Sequence, residues 1–222
     1  MSVKTPRELL KHELGDLLYA EKQILKALKP MIRETSDPEM KARLEQHQGE
    51  TEQQIGNIER AFEAIGVKPK AEKCPGILGI IEEKKEFKEE EEPSKAMLEA
   101  FNLGAGLRVE HYEIAAYRSA MTLAKALGLR EVTTLLKENL EQELAMAKFI
   151  EGSSAKVLQM AQTASMEAES RAAAKSAGKS AGKSAGKSAG KSAGKSAAKG
   201  GAKRAAAKSA SGAESTAGAG AA

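Results

Sequence analysis

The chain has 222 residues and a formal net charge of +4, and this small value hides two parts of opposite charge. From Arg171 onward the sequence is almost entirely Ala, Gly, Ser and Lys, with 11 cations against one anion, which leaves 24 cations and 30 anions in residues 1–170. A segment that lacks aromatic and branched aliphatic side chains cannot bury a core. We therefore predict an acidic folded domain over residues 1–165 and a basic low-complexity tail over residues 166–222.

Cysteine content and hydropathy limit the cellular setting. Cys74 is the only cysteine, which excludes an internal disulfide and indicates a reducing compartment. The apolar run Ile77–Ile81 is far shorter than the roughly 20 residues that span a bilayer, and the N-terminus is charged rather than apolar. We expect a soluble cytoplasmic protein that does not contact the membrane.

Two capping signals begin the first pair of helices. Thr5, Pro6 and Glu8 form a capping box, and the helical spacing of the leucines that follow predicts a first helix to about residue 34. Asp37, with a proline directly after it, repeats the signal for a second helix. Gly66 is expected to end that helix.

Three further helices complete the predicted domain. Residues 67–93 form a crossover with a shorter amphipathic helix over about 76–91, a third long helix runs from Ser94 to Gly128, and a fourth runs from Arg130 to about 162. No segment shows the alternation of a strand. Four long helices with one long crossover predict an all-α fold, an antiparallel four-helix bundle with a short extra helix.

Polar residues interrupt the apolar stripe of every long helix. His47 and Glu50 share the stripe of the second helix with Leu44 and Ile58, and the other long helices carry glutamates at equivalent places. Carboxylates that converge with an imidazole can bind a pair of metal ions inside a bundle. The predicted metal ligands are Glu21, His47, Glu50, Glu110, Glu113 and Glu143. Tyr19, Tyr112 and Tyr117 are candidates to support them, and His111 is a candidate ligand or supporting residue that ranks below His47.

Two simpler interpretations compete with a metal site. A single inward glutamate is often a boundary residue whose aliphatic stem is buried while its carboxylate reaches water. The four helices together could also enclose a buried ionic network without metal, in which case chelators would leave thermal stability unchanged. The agreement of four helices favours the metal site.

Several segments resemble a known family. The sequences HELGDLLYAEKQILKA (12–27), HQGET (47–51), KCPGILGIIEE (73–83) and VEHYEIAAY (109–117) are similar to the YciF-like branch of the ferritin superfamily, over about residues 5–165. This resemblance implies a ferritin-like antiparallel four-helix bundle, usually a homodimer. It also implies a dinuclear iron centre and an association with bacterial stress responses.

The resemblance also assigns ligands, with two departures from the general ferritin-like pattern. The implied ligands are Glu21, His47, Glu50, Glu110 and Glu143, followed by Glu113. That pattern places Glu three residues before His on two helices. Here the order on the second helix is reversed, and the fourth helix has no histidine. Iron is the expected metal, and manganese or a single metal ion remains an alternative.

The tail repeats the motif KSAG from Lys175 through Lys195, and it resembles the tail of a linker histone. Regularly spaced lysines among Ala, Gly and Ser form a flexible polycation that binds DNA phosphates without sequence preference. The predicted nucleic-acid-binding residues are Lys175, Lys179, Lys183, Lys187, Lys191, Lys195, Lys199, Lys203, Arg204 and Lys208. A solubilising spacer is the alternative function of this segment.

Domain and tail together predict a metal-binding stress protein. The bundle would hold two metal ions and oxidise Fe(II) with oxygen or peroxide, while the tail tethers it to DNA in the nucleoid. The alternative is a nucleoid-associated DNA-binding protein whose bundle is a metal-free dimerisation module.

Overall fold

Within residues 3–185, which the computed structural model describes, the chain forms five helices and no strand. The helices are α1 (Pro6–Glu34), α2 (Pro38–Ala64), α3 (Pro75–Glu90), α4 (Lys95–Ala126) and α5 (Arg130–Ala185). The short helix α3 lies in the crossover and packs against α1 and α4. No helix in this range combines the length and the hydropathy needed to cross a membrane. The predicted all-α four-helix bundle with an extra crossover helix is confirmed.

N-terminal caps fix where the helices begin. The side chains of Thr5, Asp37 and Ser94 each accept a hydrogen bond from a backbone N–H three residues later, at 2.9–3.3 Å. Each cap satisfies one of the N–H groups that a helix start leaves without an internal partner. Cys74 holds the same position before α3, where its Sγ accepts from a backbone N–H at 3.5 Å. The predicted starts of α1, α2 and α4 are therefore confirmed.

Helix α5 is longer than predicted. The expected end near residue 162 is wrong, because the helix continues to Ala185. Residues 161–175 contain no proline or glycine and are rich in alanine, which has the highest intrinsic helix propensity. The helix therefore continues past Ala161, its last buried position. The first of two units into which the chain divides ends at Lys175.

The core consists of two apolar clusters at opposite ends of the bundle. The first cluster includes Leu10, Leu14, Leu17, Leu18, Ile58, Phe62, Ile114, Met121, Leu135 and Leu136. The second cluster includes Ile24, Leu28, Met40, Leu44, Ile77, Leu103, Met146, Ile150 and Val157. Neighbouring long helices run in opposite directions, and each is long enough to contribute to both clusters. The residues between the clusters consequently lie at one level of the bundle.

The crossover is fixed to α1 and α4 before α3 begins. The backbone N–H of Glu72 donates to the carbonyl of Gly15 at 2.9 Å, and a Cβ on Gly15 would lie only 2.6 Å from Glu72 Cγ. Cys74 Sγ lies 2.8 Å from the hydroxyl of Tyr112, which donates to Asp16 Oδ2 at 2.8 Å. Glycine at position 15 therefore allows the crossover to approach α1 closely.

Candidate metal centre

A layer of buried polar side chains separates the first cluster from the second. Its members are Glu21 of α1, His47 of α2, Glu110 and Glu113 of α4, and Glu143 of α5. None of the five is more than 3% exposed. Each stands between residues of both clusters on its own helix. We call these five residues the polar layer.

The polar layer contains two overlapping groups of candidate metal ligands. His47, Glu110 and Glu143 form the first group, and Glu21, Glu113 and Glu143 form the second. Within each group, one ligand atom from every residue lies within 4.8 Å of the others. His47 Nε2 is 3.5 Å from Glu110 Oε1 and 3.8 Å from Glu143 Oε2. Glu143 belongs to both groups, as expected for a carboxylate that bridges two ions.

Unpaired atoms in the polar layer fit a bound cation. Among the described residues, eight buried side-chain nitrogen or oxygen atoms have no hydrogen-bond partner, and six of these belong to the layer. The six are Glu21 Oε2, His47 Nε2, Glu110 Oε2, both carboxylate oxygens of Glu113, and Glu143 Oε2. A buried polar atom left unpaired costs about 1–3 kcal/mol. Metal ions at this position would give these atoms partners.

The carboxyl groups of the layer oppose one another's ionisation. Burial and the charge of Glu143 raise the pKa of Glu21 and of Glu110 well above the ordinary value. Burial and the charge of Glu21 raise the pKa of Glu113 in the same way. Four ionised carboxylates would balance two divalent cations, and the ions would displace the protons that the raised pKa values retain.

Glu50 lies outside both groups of ligands. Its carboxylate accepts hydrogen bonds from Arg43 Nη1 at 2.9 Å and Gln46 Nε2 at 2.8 Å, and Oε2 lies 3.1 Å from His47 Nδ1. Although burial opposes it, hydrogen bonds from His47 and Arg43 lower the pKa of Glu50 to about 2. A carboxylate on Nδ1 orients the ring and makes Nε2 the free ligand atom. The structure therefore gives Glu50 a contact with His47, and direct ligation by Glu50 stays a prediction.

Hydrogen-bond donors hold two of the carboxylates from the side of the first cluster. The hydroxyl of Tyr117 donates to Glu21, and Gln54 Nε2 donates to Glu143. Asn139 Nδ2 donates to the Tyr117 hydroxyl at 3.0 Å and to the backbone carbonyl of Gln54 at 3.3 Å. These contacts restrict the orientation of the ligands before any ion binds.

Sequence reasoning missed much of this supporting network. The missed residues are Arg43, Gln54, Asn139 and Asn57, whose Nδ2 donates to Asn139 Oδ1 at 2.8 Å. The sequence spacing could have identified two of them. Gln54 follows His47 by seven residues and Asn139 precedes Glu143 by four, which places each pair on one helix face. The amide side chains of Gln54 and Asn139 interrupt the apolar stripe of their helix, as the candidate ligands do.

The other histidines lie away from the layer. His111 has a side chain that is 58% exposed, and its Nε2 lies 3.8 Å from Glu151 Oε1. His12 is exposed, as its position near the start of α1 suggested. Among the described residues, His47 is consequently the only histidine that can serve the candidate centre.

Most of the predicted nucleic-acid-binding residues lie outside the described part of the chain. Lys175, Lys179 and Lys183 fall on α5, and Lys175 is exposed. The remaining predictions lie outside the described residues: Lys187, Lys191, Lys195, Lys199, Lys203, Arg204 and Lys208.

Comparison with known proteins shows close relatives for most of the chain. Protein YciF of Escherichia coli K12 is 39% identical over 146 residues, covering 65% of this chain and 87% of YciF. The crystal structure of the E. coli stress protein YciF matches with a TM-score of 0.66 at 35% identity, over 71% of this chain and 99% of that one. YcfI from Rhodopseudomonas palustris matches with a TM-score of 0.65 at 35% identity, over 68% and 95% of the two chains.

A third solved structure, a protein of Xanthomonas campestris, has a TM-score of 0.61 at 25% identity and covers 73% of this chain and 99% of that one. Residues 5–177 match the family described as "Domain of unknown function (DUF892)". The resemblance to YciF-like proteins, expected from the motifs, is confirmed, and the chain belongs to the DUF892 family with the ferritin-like helical bundle of that branch.

Proposed function

We propose that this protein binds a pair of transition-metal ions, with iron as the leading candidate. We also propose that it serves in a stress response, because the E. coli relative YciF is described as a stress protein. The observation that supports the proposal is the concentration of unpaired buried donor atoms in the polar layer. Two groups of three ligands that share Glu143 provide a place for two ions.

The donor set favours iron or manganese over calcium or magnesium. Calcium and magnesium prefer oxygen ligands alone, whereas an imidazole nitrogen favours transition metals. His47 supplies this nitrogen, and its contact with Glu50 leaves Nε2 directed toward Glu110 and Glu143. With iron as the resident metal, we propose the oxidation of Fe(II) by oxygen or peroxide.

Held by the residues of the polar layer, two Fe(II) ions would supply the two electrons that, with two protons, reduce hydrogen peroxide to two water molecules. The residues of the chain would set the conditions for this reaction. Tyr117 and Gln54 hold Glu21 and Glu143 in place. The two apolar clusters exclude water, which strengthens electrostatic interactions within the layer.

Metal titration of the full chain tests the proposal. We expect elemental analysis after anaerobic loading with Fe(II) or Mn(II) to find a pair of ions per chain, and His47→Ala to lose one of them. The matched control is His111→Ala, which removes an exposed imidazole outside the layer. Each bound ion should raise stability by about 2.7 kcal/mol at a free metal concentration about 100 times its Kd. Unchanged metal content in the His47 variant, or none in the wild type, would contradict the proposal.

We further propose that the tail tethers the protein to DNA in the nucleoid. Support comes from the sequence alone, since residues 171–222 carry 11 cations and one anion while residues 1–170 are net acidic. Neutralising phosphates with lysine releases counterions, so binding would be independent of sequence and would weaken steeply as salt rises.

Charge variants of the full chain distinguish a tail that tethers the protein to DNA from a tail that is a solubilising spacer. The test variant replaces six tail lysines by Gln, and the control replaces the same residues by Arg: Lys187, Lys191, Lys195, Lys199, Lys203 and Lys208. We expect the Gln variant to bind DNA more weakly and to reduce the slope of log K against log salt by about 0.9 for each phosphate that the tail no longer neutralises. Equal affinity in the two variants would assign the tail a spacer function.

The homodimer that the family resemblance implies stays a prediction, to be tested by analytical ultracentrifugation.

A further inference from the structure

A small cavity lies within the second cluster, beside the polar layer. Its volume is about 50 Å³, and side chains from all five helices line it, with Ile81 contributed by α3. Glu110 of the polar layer is one of its lining residues, while Thr35 and Glu99 line it near the turn between α1 and α2. Most of the remaining lining is apolar and includes Ile24, Leu28, Leu44, Leu103, Met146 and Ile150.

The size and lining of the cavity limit what it can hold. An apolar cavity of about 150 Å³ accommodates benzene, so a volume about one third as large fits only a very small molecule. A buried water needs two to four polar partners; the polar lining is limited to Thr35, Glu99, Asn102 and Glu110, and the remaining aliphatic lining offers none. The cavity therefore suits a small apolar molecule better than water, hydrogen peroxide or an organic substrate.

Gly106 keeps part of this space open. It lies in the middle of α4, one helical turn before Glu110, and it lines the cavity. A Cβ at this position would lie 3.3 Å from Ile150 Cδ1, tighter than an ordinary contact. Glycine inside a helix costs about 1 kcal/mol relative to alanine. A larger side chain here would gain helix propensity but would occupy the space between Ile150 and Glu110.

The opposite side of the polar layer has a different character. There Gln54, Asn139 and Tyr117 fill the space with hydrogen-bonded groups, two of which donate to layer carboxylates. On the cavity side, Glu110 Oε2 has no hydrogen-bond partner among the described residues. An apolar molecule in the cavity would therefore meet the layer at Glu110, whose Oε2 accepts no hydrogen bond while Oε1 lies 3.5 Å from His47 Nε2.

We infer that the cavity is a binding site for dioxygen and its route to the metal centre. The inference rests on the proposed function and selects dioxygen among the candidate oxidants. Two Fe(II) ions held by the polar layer would supply one electron each, and with two protons from water dioxygen would be reduced to hydrogen peroxide.

Xenon binding tests the cavity without any metal. Xenon is apolar and binds in apolar cavities. We expect xenon NMR of the full-length metal-free protein to show a bound signal in the wild type and in Gly79→Leu, a control at an exposed helical glycine with no neighbour within 4 Å of its Cβ. The signal should be absent in Gly106→Leu and reduced in Gly106→Ala. No xenon signal in the wild type, or an unchanged signal in a folded Gly106→Leu variant, overturns the inference.

Oxidation kinetics test the route. For Gly106→Leu we expect the second-order rate of Fe(II) oxidation by dioxygen to fall by about tenfold or more, because closely packed protein leaves no permanent passage. The rate with added peroxide should change by less than about twofold, because a polar oxidant does not use the apolar cavity. Gly106→Ala should give an intermediate rate with dioxygen, and Gly79→Leu the wild-type rate.

The kinetic outcomes separate the two proposals. Equal slowing by both oxidants, or wild-type oxidation by peroxide alone, overturns the dioxygen route while the metal centre stands. A failure of the wild type to bind Fe(II) under anaerobic conditions overturns the proposed function and the route together, even if xenon still binds in the cavity.

Discussion

The two sides of the polar layer use the same helices in different ways. On the side of the first cluster, Leu10, Leu14 and Phe62 are fully buried, and Tyr117 and Gln54 donate to the ligands. On the side of the second cluster, the aliphatic side chains leave a cavity that reaches Glu110. The difference indicates a division of labour: one half of the bundle holds the ligands in position, and the other leaves space for a reactant.

The largest expected effect compares the same substitution on the two sides. Leu14→Ala removes a fully buried side chain from the first cluster and should lower the free energy of unfolding by about 4 kcal/mol. Leu44→Ala removes a side chain that already borders a cavity and therefore packs against fewer atoms, so we expect about 2 kcal/mol. Urea denaturation of the metal-free variants measures both values. Equal decreases would contradict the proposed difference in packing.

The second prediction concerns the polar layer itself. Burial and the charge of Glu21 raise the pKa of Glu113 above 4.5, so this group holds its proton more tightly in the folded chain than in the unfolded one. The free energy of unfolding of the metal-free protein should therefore fall as the pH rises above about 4.5 toward the raised pKa. Urea denaturation in chelator between pH 5 and 8 should show this decline, and Glu113→Gln should make it shallower.

Two controls test whether the buried carboxyl groups cause this decline in stability. Glu59→Gln removes a half-exposed carboxylate paired with Lys22 and should leave the slope unchanged. Saturating Mn(II) should abolish or reverse the decline, because the ion replaces the protons. A metal-free protein whose stability rises across this pH range would show that the buried carboxyls ionise without penalty.

The third prediction compares two asparagines that lie on opposite sides of the polar layer. Asn139→Leu should cost about 1–3 kcal/mol, because the substitution removes hydrogen bonds within the network beside the first cluster. Asn102→Leu should change stability by less than about 0.5 kcal/mol, because Asn102 Oδ1 has no partner and its amide makes one long contact with Glu34 at 3.4 Å. Thermal or urea denaturation compares them. Similar costs would mean that the cavity side also depends on a polar network.

The smallest expected effect concerns Glu50. Glu50→Gln keeps the size of the side chain but removes the charge that orients His47, so we expect the affinity for Mn(II) to fall by about tenfold. The matched control is Glu52→Gln, an exposed carboxylate two residues along α2. Isothermal titration calorimetry measures both. Loss of a whole metal ion in the Glu50 variant would instead identify Glu50 as a ligand.

The bundle could be predicted because its signals are local. An N-cap residue, followed by proline in α1 and α2, and apolar residues at helical spacing are signals that depend only on neighbouring residues, and they predicted the starts of α1, α2 and α4. The end of α5 was missed because the loss of apolar residues after 162 was interpreted as the loss of the helix. Alanine maintains a helix without a buried face.

The centre could be predicted only in part. Glu21, His47, Glu110, Glu113 and Glu143 come together, because helical periodicity places each of them inside the bundle. Glu50 was placed in the same group because it follows His47 by three residues, yet Arg43 engages it at the edge of the layer. The cavity could not be predicted, because it depends on how side chains from five helices meet.

The single cysteine gives the molecule an internal probe of local opening. Burial raises the pKa of the Cys74 thiol, and its hydrogen bond with Tyr112 is part of the contact between the crossover and α4. Only the thiolate reacts quickly with thiol reagents, so the native chain should be modified slowly. The rate of modification therefore reports how often the start of α3 detaches from the bundle, and it can follow this breathing motion without an introduced label.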